Sequence, residues 1–247
     1  MPTIQRGDAT IYYEEHGSGF PLLLLAPGGL NSTVDFWSRM PLNPLEAFST
    51  DGLRIIAMDQ RNAGRSSGPL DTRDPWQMYA EDQLAVLDHL GIDQFMAMGS
   101  CIGCSFIFEL IEQAPRRIVA GVLMQPIGHD ETNDGVFGPD MWTPWGQNLI
   151  DKGAHFDLET LDAFGHALFD SDFVFSVSRD FLKSAQTPLL LLYGSDHAHP
   201  RGVSVEVAGL LPNVETIERW RDPDVVPAVI DQVRAFLKTH ATSGSRA

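Results

Sequence analysis

Little in this chain of 247 residues could brace a fold from outside its core. It has only two cysteines, Cys101 and Cys104. They lie too close together to staple a domain, so their C-x-x-C spacing points to thiol chemistry, redox or metal binding rather than a disulfide framework. Basic residues are scarce: 17 Lys and Arg stand against 33 Asp and Glu, a formal net charge of −16. An acidic surface repels phosphate backbones and anionic lipid, so neither nucleic acid nor a membrane is an expected partner. Long apolar runs are also missing. A membrane span needs about 20 such residues, whereas the run Leu22 to Ala26 has the length of a single strand. The first ten residues carry no basic-then-apolar leader pattern, which predicts a cytoplasmic protein. Internal repeats and low-complexity segments are absent, and only the stretch after Lys238 reads as a frayed tail. With 43% hydrophobic and 20% charged residues, the composition is that of an ordinary globular protein. It excludes global disorder, collagen and coiled coil, and the length suffices to bury a substantial core.

What is present is an alternation of strands and helices. Short apolar runs predict strands over 9–15, 21–26, 53–59, 95–99, 118–125, 187–194 and 214–218. Helical periodicity appears over 79–90 (Leu84, Leu87, Leu90), from Ile102 through Phe106 to Leu110, and over 225–237. This rhythm predicts a mostly parallel sheet with helices on both faces. Residues 126–186 break it, being rich in Gly, Pro, Trp and Phe without a clear strand. They are read as a cap insertion over the carboxyl edge of the sheet, where ligands of open α/β sheets bind. Residues 1–125 and 187–247 then form the core. Most of the aromatic residues of the insert are expected to form its own small core, with a few, Trp142 and Trp145 among the candidates, facing the cleft.

One junction carries the chemistry. The strand ending at Gly99 runs through Ser100-Cys101-Ile102-Gly103 into an amphipathic helix, so G-x-C-x-G stands at a strand-to-helix turn. Glycines two before and two after let the neighbouring backbone approach a strained nucleophile. Cys101 then stands at a helix N-terminus, where the Ile102 N–H can donate to an oxyanion and the helix dipole lowers a thiol pKa. The alternatives are an inert buried thiol or a redox pair with Cys104, which is itself read mainly as packing.

With this elbow the chain resembles the α/β-hydrolase superfamily over nearly its whole length. Leu25-Ala26-Pro27-Gly28-Gly29 stands where the family has its His-Gly oxyanion loop. Asp59 to Ser66 looks like the family's D-x-R-G-x-G-x-S turn, with Asn62 replacing a glycine. Leu192-Tyr193-Gly194-Ser195-Asp196 resembles the strand and loop that deliver the triad acid. The resemblance implies an α/β-hydrolase fold, an oxyanion donor at Gly29 beside Ile102, and Asp196 as the acid, with Asp130 as its rival.

The chain departs from the family where the base should be. The loop after the last strand, Ile217 to Asp224, contains no histidine, and His240 is expected beyond the final helix. His199 is taken as the base because Pro200, starting the next helix, would hold it at the N-cap. His197, His129 and a thiolate acting with no base remain open. A zinc site on His197 and His199 lacks further ligands at the usual spacing, and Asp196 could be a helix cap. His16 and His89 read as solvated.

The expected activity is hydrolysis of a small apolar ester, lactone, thioester or activated ketone through Cys101, with neither metal nor organic cofactor. The expected partner is a small-molecule substrate, and a homodimer is left open. A C–C or C–X lyase on the same scaffold and a non-enzymatic binder with a decayed site are the alternatives.

Overall fold

Eight strands form one sheet in the computed structural model, which describes residues 2–154 and 156–241. They are β1 (Thr3–Arg6), β2 (Ala9–Gly17), β3 (Phe20–Leu25), β4 (Leu53–Met58), β5 (Phe95–Ser100), β6 (Ile118–Met124), β7 (Leu189–Leu192) and β8 (Val214–Ile217), in the spatial order β1-β2-β4-β3-β5-β6-β7-β8. From β4 to β8 in that order every pair is parallel; the pairs β1–β2 and β2–β4 are antiparallel, so β2 alone runs against the other strands. The predicted mostly parallel sheet is therefore present. The edge strand β1 was not predicted: its sequence TIQR is short and half polar, and it is held by pairing with β2 around a turn at Gly7 (φ 55°).

The helices are α1 (Pro44–Phe48), α2 (Pro75–His89), α3 (Ile102–Gln113), α4 (Pro139–Asp151), α5 (Leu158–Phe169), α6 (Arg179–Ser184), α7 (Arg201–Leu210) and α8 (Val226–Ala241). Burial on both faces explains why the central strands are apolar without alternation. Leu23, Leu25, Ile56, Met58, Ala97 and Leu123 join the core that includes α2 and α3. Their neighbours Leu22, Leu24, Ile55, Ala57, Met96, Met98 and Val122 face Val229, Val233, Phe236 and Leu237 of α8. Helix α8 also absorbs Thr239 to Ala241, so the tail read as frayed is helical to that point, with His240 inside the helix against Phe236. The rest of that tail lies outside the described residues.

Between β6 and β7 stand α4, α5 and α6, with α4 packed on the turn Gly29–Asn31 after β3. Trp142, Phe164, Phe169 and Phe173 are almost wholly buried, and Trp142 stacks on Phe169 at 6.2 Å while its Nε1 donates to Asp162. Phe169 in turn meets Trp76 of α2 edge-on. Trp142 is thus part of the insert's core, and Trp145 stacks on Phe164 beside it. No helix among the described residues is long and apolar enough to cross a membrane.

Buried on α3, Glu109 is only 4% exposed. Burial pushes its carboxyl up from 4.5 to about 7, against a hydrogen bond from Gln113. Between those two pH values the folded chain binds more protons here than the unfolded one, so stability falls as pH rises through that window. Glu109→Gln removes the burden of a buried charge. It is expected to melt higher than the wild type at pH 8, with the gain shrinking towards pH 5. Thermal melts at the two pH values check this; a gain that grows on acidification contradicts it.

Candidate active site

The turn from β5 into α3 is built as its glycines require. A Cβ on Gly99 would collide with the Gly103 carbonyl, and one on Gly103 with the Leu25 carbonyl. Side chains at either place would force apart β3 and the elbow. Cys101 itself sits at φ 58°, ψ −121°, a strained conformation for a residue with a Cβ, and its N–H donates to the Met124 carbonyl at 3.0 Å. The half-buried thiol is thereby held at the carboxyl edge of the sheet, at the N-terminus of α3.

Three groups converge on its sulfur. The His199 side chain, from the loop after β7, and the backbone N–H groups of Ile102 and Gly28 are the neighbours that favour its thiolate, and the buried His199 Nε2 has no hydrogen-bond partner among the described residues. Gly28 has φ 119° and precedes the 3-10 turn that Gly29 opens. The loop N–H that favours the thiolate is Gly28's, next to the Gly29 expected from the sequence as an oxyanion donor. Burial pushes the Cys101 thiol up, but His199 and the two N–H groups outweigh it, and the thiol lies below its ordinary value. Burial likewise pushes His199 down, but Cys101 and Asp196 outweigh it and the ring is raised. The two shifts run in opposite directions because each group favours the charged form of the other.

The His199 ring is held by its own loop. Asp196 Oδ1 accepts both the His199 backbone N–H at 3.0 Å and Nδ1 at 2.7 Å, which leaves the buried Nε2 as the ring nitrogen without a hydrogen-bond partner. Asp196 Oδ2 accepts from Arg221 Nη1 at 2.6 Å. Burial raises the Asp196 carboxyl, but Arg221 and His199 outweigh it and hold it below the usual range. Helix α7 begins at Arg201 with Pro200 as its N-cap, so His199 lies one residue before the cap position expected for it. The loop can fold back only because residue 194 is glycine: a Cβ there would collide with the His199 carbonyl and lie 2.8 Å from its Cβ. Gly194→Ala is expected to displace His199 by a few tenths of an ångström or more and to lower kcat roughly 10- to 100-fold with an intact fold. Steady-state kinetics beside circular dichroism test this; an unaltered kcat contradicts it.

Other sequence candidates lie elsewhere. His197 is exposed. His129 Nε2 is 3.3 Å from the Phe169 carbonyl, and its ring meets Phe137 and Phe175 edge-on, inside the insert's aromatic cluster. Asp130 is engaged by the Thr132 N–H and hydroxyl. Cys104 is fully buried with Sγ against the Gly99 and Met124 carbonyls. Burial and the neighbouring Cys101 sulfur push its thiol well up, so it remains protonated. His16 pairs with Glu14, and exposed His89 lies edge-on to Tyr13.

The turn Asp59 to Ser66 supports the site from behind. Buried Asp59 accepts the Val34 N–H, the Arg65 N–H and the Arg65 guanidinium, tying the segments after β3 and β4 together. Arg61 grips buried Asp82 of α2 with two hydrogen bonds of 2.8 and 2.6 Å. Asn62, standing where a glycine was expected, takes φ 62° and accepts the Gly68 N–H, since asparagine tolerates the left-handed region.

A family model described as alpha/beta hydrolase fold matches residues 21–160. A putative carbamate hydrolase RutD of Azorhizobium caulinodans is 36% identical over 118 residues, 48% of this chain and 42% of that protein. A non-heme haloperoxidase of Rhodococcus erythropolis is 24% identical over 211 residues, 82% of this chain and 72% of that protein. The chain thus spans less than half the length of the carbamate hydrolase. Among solved structures, a meta-cleavage product hydrolase of Pseudomonas fluorescens IP01 superposes with a TM-score of 0.73 at 17% identity, covering 97% of this chain and 98% of that one.

Proposed function

The chain belongs to the α/β-hydrolase fold family, and from that premise we propose that it hydrolyses a small ester, lactone, thioester or activated ketone through a thiolate on Cys101. The observation that carries this reading is the approach of His199, braced by Asp196, to a cysteine at the nucleophile elbow. The Cys101 thiolate attacks the substrate carbonyl, and the developing oxyanion is held by backbone N–H groups, Ile102 on the elbow and Gly28 or Gly29 on the loop after β3. Collapse of the tetrahedral species breaks the bond to the leaving group, which takes its proton from the His199 imidazolium. Neutral His199 then removes a proton from water, whose oxygen attacks the thioester. The C–S bond breaks, acid is released, and the thiolate–imidazolium pair is restored. Asp196 fixes the ring so that Nε2 faces the sulfur, and stabilises the imidazolium without itself taking the proton. No step requires a metal or an organic cofactor.

Alkylation tests the reading. Iodoacetamide at neutral pH is expected to modify Cys101 far ahead of Cys104 and to remove activity in proportion to the modified fraction, read by peptide mass spectrometry beside ester turnover. Full activity on a chain alkylated at Cys101 contradicts it.

A further inference from the structure

We propose that Arg221 is a positioning residue for this site, holding Asp196 by the carboxylate oxygen that His199 leaves free. The inference rests on the triad reading above and extends it to the loop after β8. In the family's plan that loop supplies the base, and here it supplies no histidine.

The geometry divides the Asp196 carboxylate cleanly. Oδ1 is spent on His199, through the ring and the backbone, and Oδ2 on the Arg221 guanidinium at 2.6 Å. With a single bonded oxygen the carboxylate could turn about its Cβ–Cγ bond and take the imidazole with it; with both oxygens held it cannot. The brace is itself anchored. Arg221 lies over the Trp220 ring at 5.7 Å, and Trp220 is nearly wholly buried, its Nε1 donating to the Tyr193 carbonyl at 2.7 Å. The anchor thus runs from the end of β7 through the loop after β8 and back to the β7 loop. Other charges nearby are engaged with one another: Arg201 of α7 with Glu218, and Arg219 with Asp222 and Asp224. His197 is exposed on the same loop as Asp196. Arg221 is therefore the cation committed to this carboxylate among the described residues, although the loop carries three acids of its own. The two devices, a base and acid three residues apart and an arginine on the loop after β8, form one arrangement. A short loop can present an imidazole to the elbow, but the i, i+3 turn leaves half of its carboxylate unheld, and the arginine supplies the missing contact.

A double-mutant cycle separates positioning from mere loop stability. Four chains are compared on p-nitrophenyl acetate and by the pH dependence of Cys101 alkylation: wild type, Arg221→Gln, Asp196→Asn and the double variant. Arg221→Gln is expected to lower kcat roughly 10-fold with KM within about twofold, and to move the acid limb of alkylation to higher pH. In the Asp196→Asn background the same change is expected to cost less than about twofold, because the group it acts through is gone. Arg221→Lys, which keeps the charge but not the fork, is expected to recover part of the loss. Equal losses in both backgrounds, or an unmoved acid limb in a folded Arg221→Gln, overturn the proposal while leaving the Cys101 reading intact. If the wild-type thiol itself alkylates as an ordinary cysteine, with a limb near ~8.5, the triad reading fails and this inference with it.

Discussion

Cys101→Ala is expected to abolish turnover, and Cys101→Ser to recover only a small fraction of it, kcat remaining below the wild type by roughly 10³-fold or more. The contrast between the two variants is the informative part. Serine keeps the position, the strained φ of 58° and the facing N–H groups. What it lacks is an anion at neutral pH. The site lowers a thiol by pairing it with His199, and the same pairing falls far short of ionising a hydroxyl. A serine would depend on proton removal during the attack itself, by a ring oriented for a larger sulfur. Alanine tolerates the backbone no worse than cysteine, so both variants should melt within a few degrees of the wild type. Turnover of p-nitrophenyl acetate and thermal melts check the pair. Normal turnover by Cys101→Ala contradicts a covalent mechanism and favours a site that only polarises a carbonyl.

His199→Ala is expected to lower kcat by about 10²- to 10⁴-fold, with a change in pH dependence that a structural role would not produce. In the wild type the Cys101 thiol is lowered and the His199 ring raised. The active ion pair forms as pH rises through the cysteine's value, and it is lost as pH rises through the histidine's. Acylation should therefore rise as Cys101 ionises and fall as His199 loses its proton. Without the ring, burial of the thiol is opposed only by backbone N–H groups, so the acid limb should move up towards or beyond the ordinary thiol range near ~8.5. His197→Ala and His129→Ala are expected to leave the limb in place, since neither lies on the sulfur. A limb that moves in either of those variants and stays in His199→Ala contradicts the assignment.

The fold was legible where burial writes itself into composition. Leu22 to Leu25, Phe95 to Met98 and Leu189 to Leu192 are apolar because helices cover both faces of the sheet, and the glycines at 99 and 103 mark a close approach of backbone. Edge strand β1 was not legible, because Thr3–Arg6 gains its order from β2 rather than from its own pattern. Helix α4 was equally obscure: it carries Pro144 and two tryptophans whose rings stack on Phe169 and Phe164 of α5. At the site, the elbow could be read from spacing alone. The histidine could only be narrowed to several, since which of His129, His197 and His199 meets Cys101 depends on how one loop folds back at Gly194. Arg221 left no signal along the chain. It matters through the juxtaposition of the loops after β7 and β8.

The most direct test of Cys101 as nucleophile is to catch the intermediate. The chain is mixed with p-nitrophenyl acetate, quenched in acid within the first turnover and mapped by peptide mass spectrometry. The account predicts one acetyl group on Cys101, as a thioester that neutral hydroxylamine removes, and none in Cys101→Ala. Turnover at the wild-type rate with no acyl group on Cys101, together with an acyl group on another residue or a burst of product that survives Cys101→Ala, would contradict it.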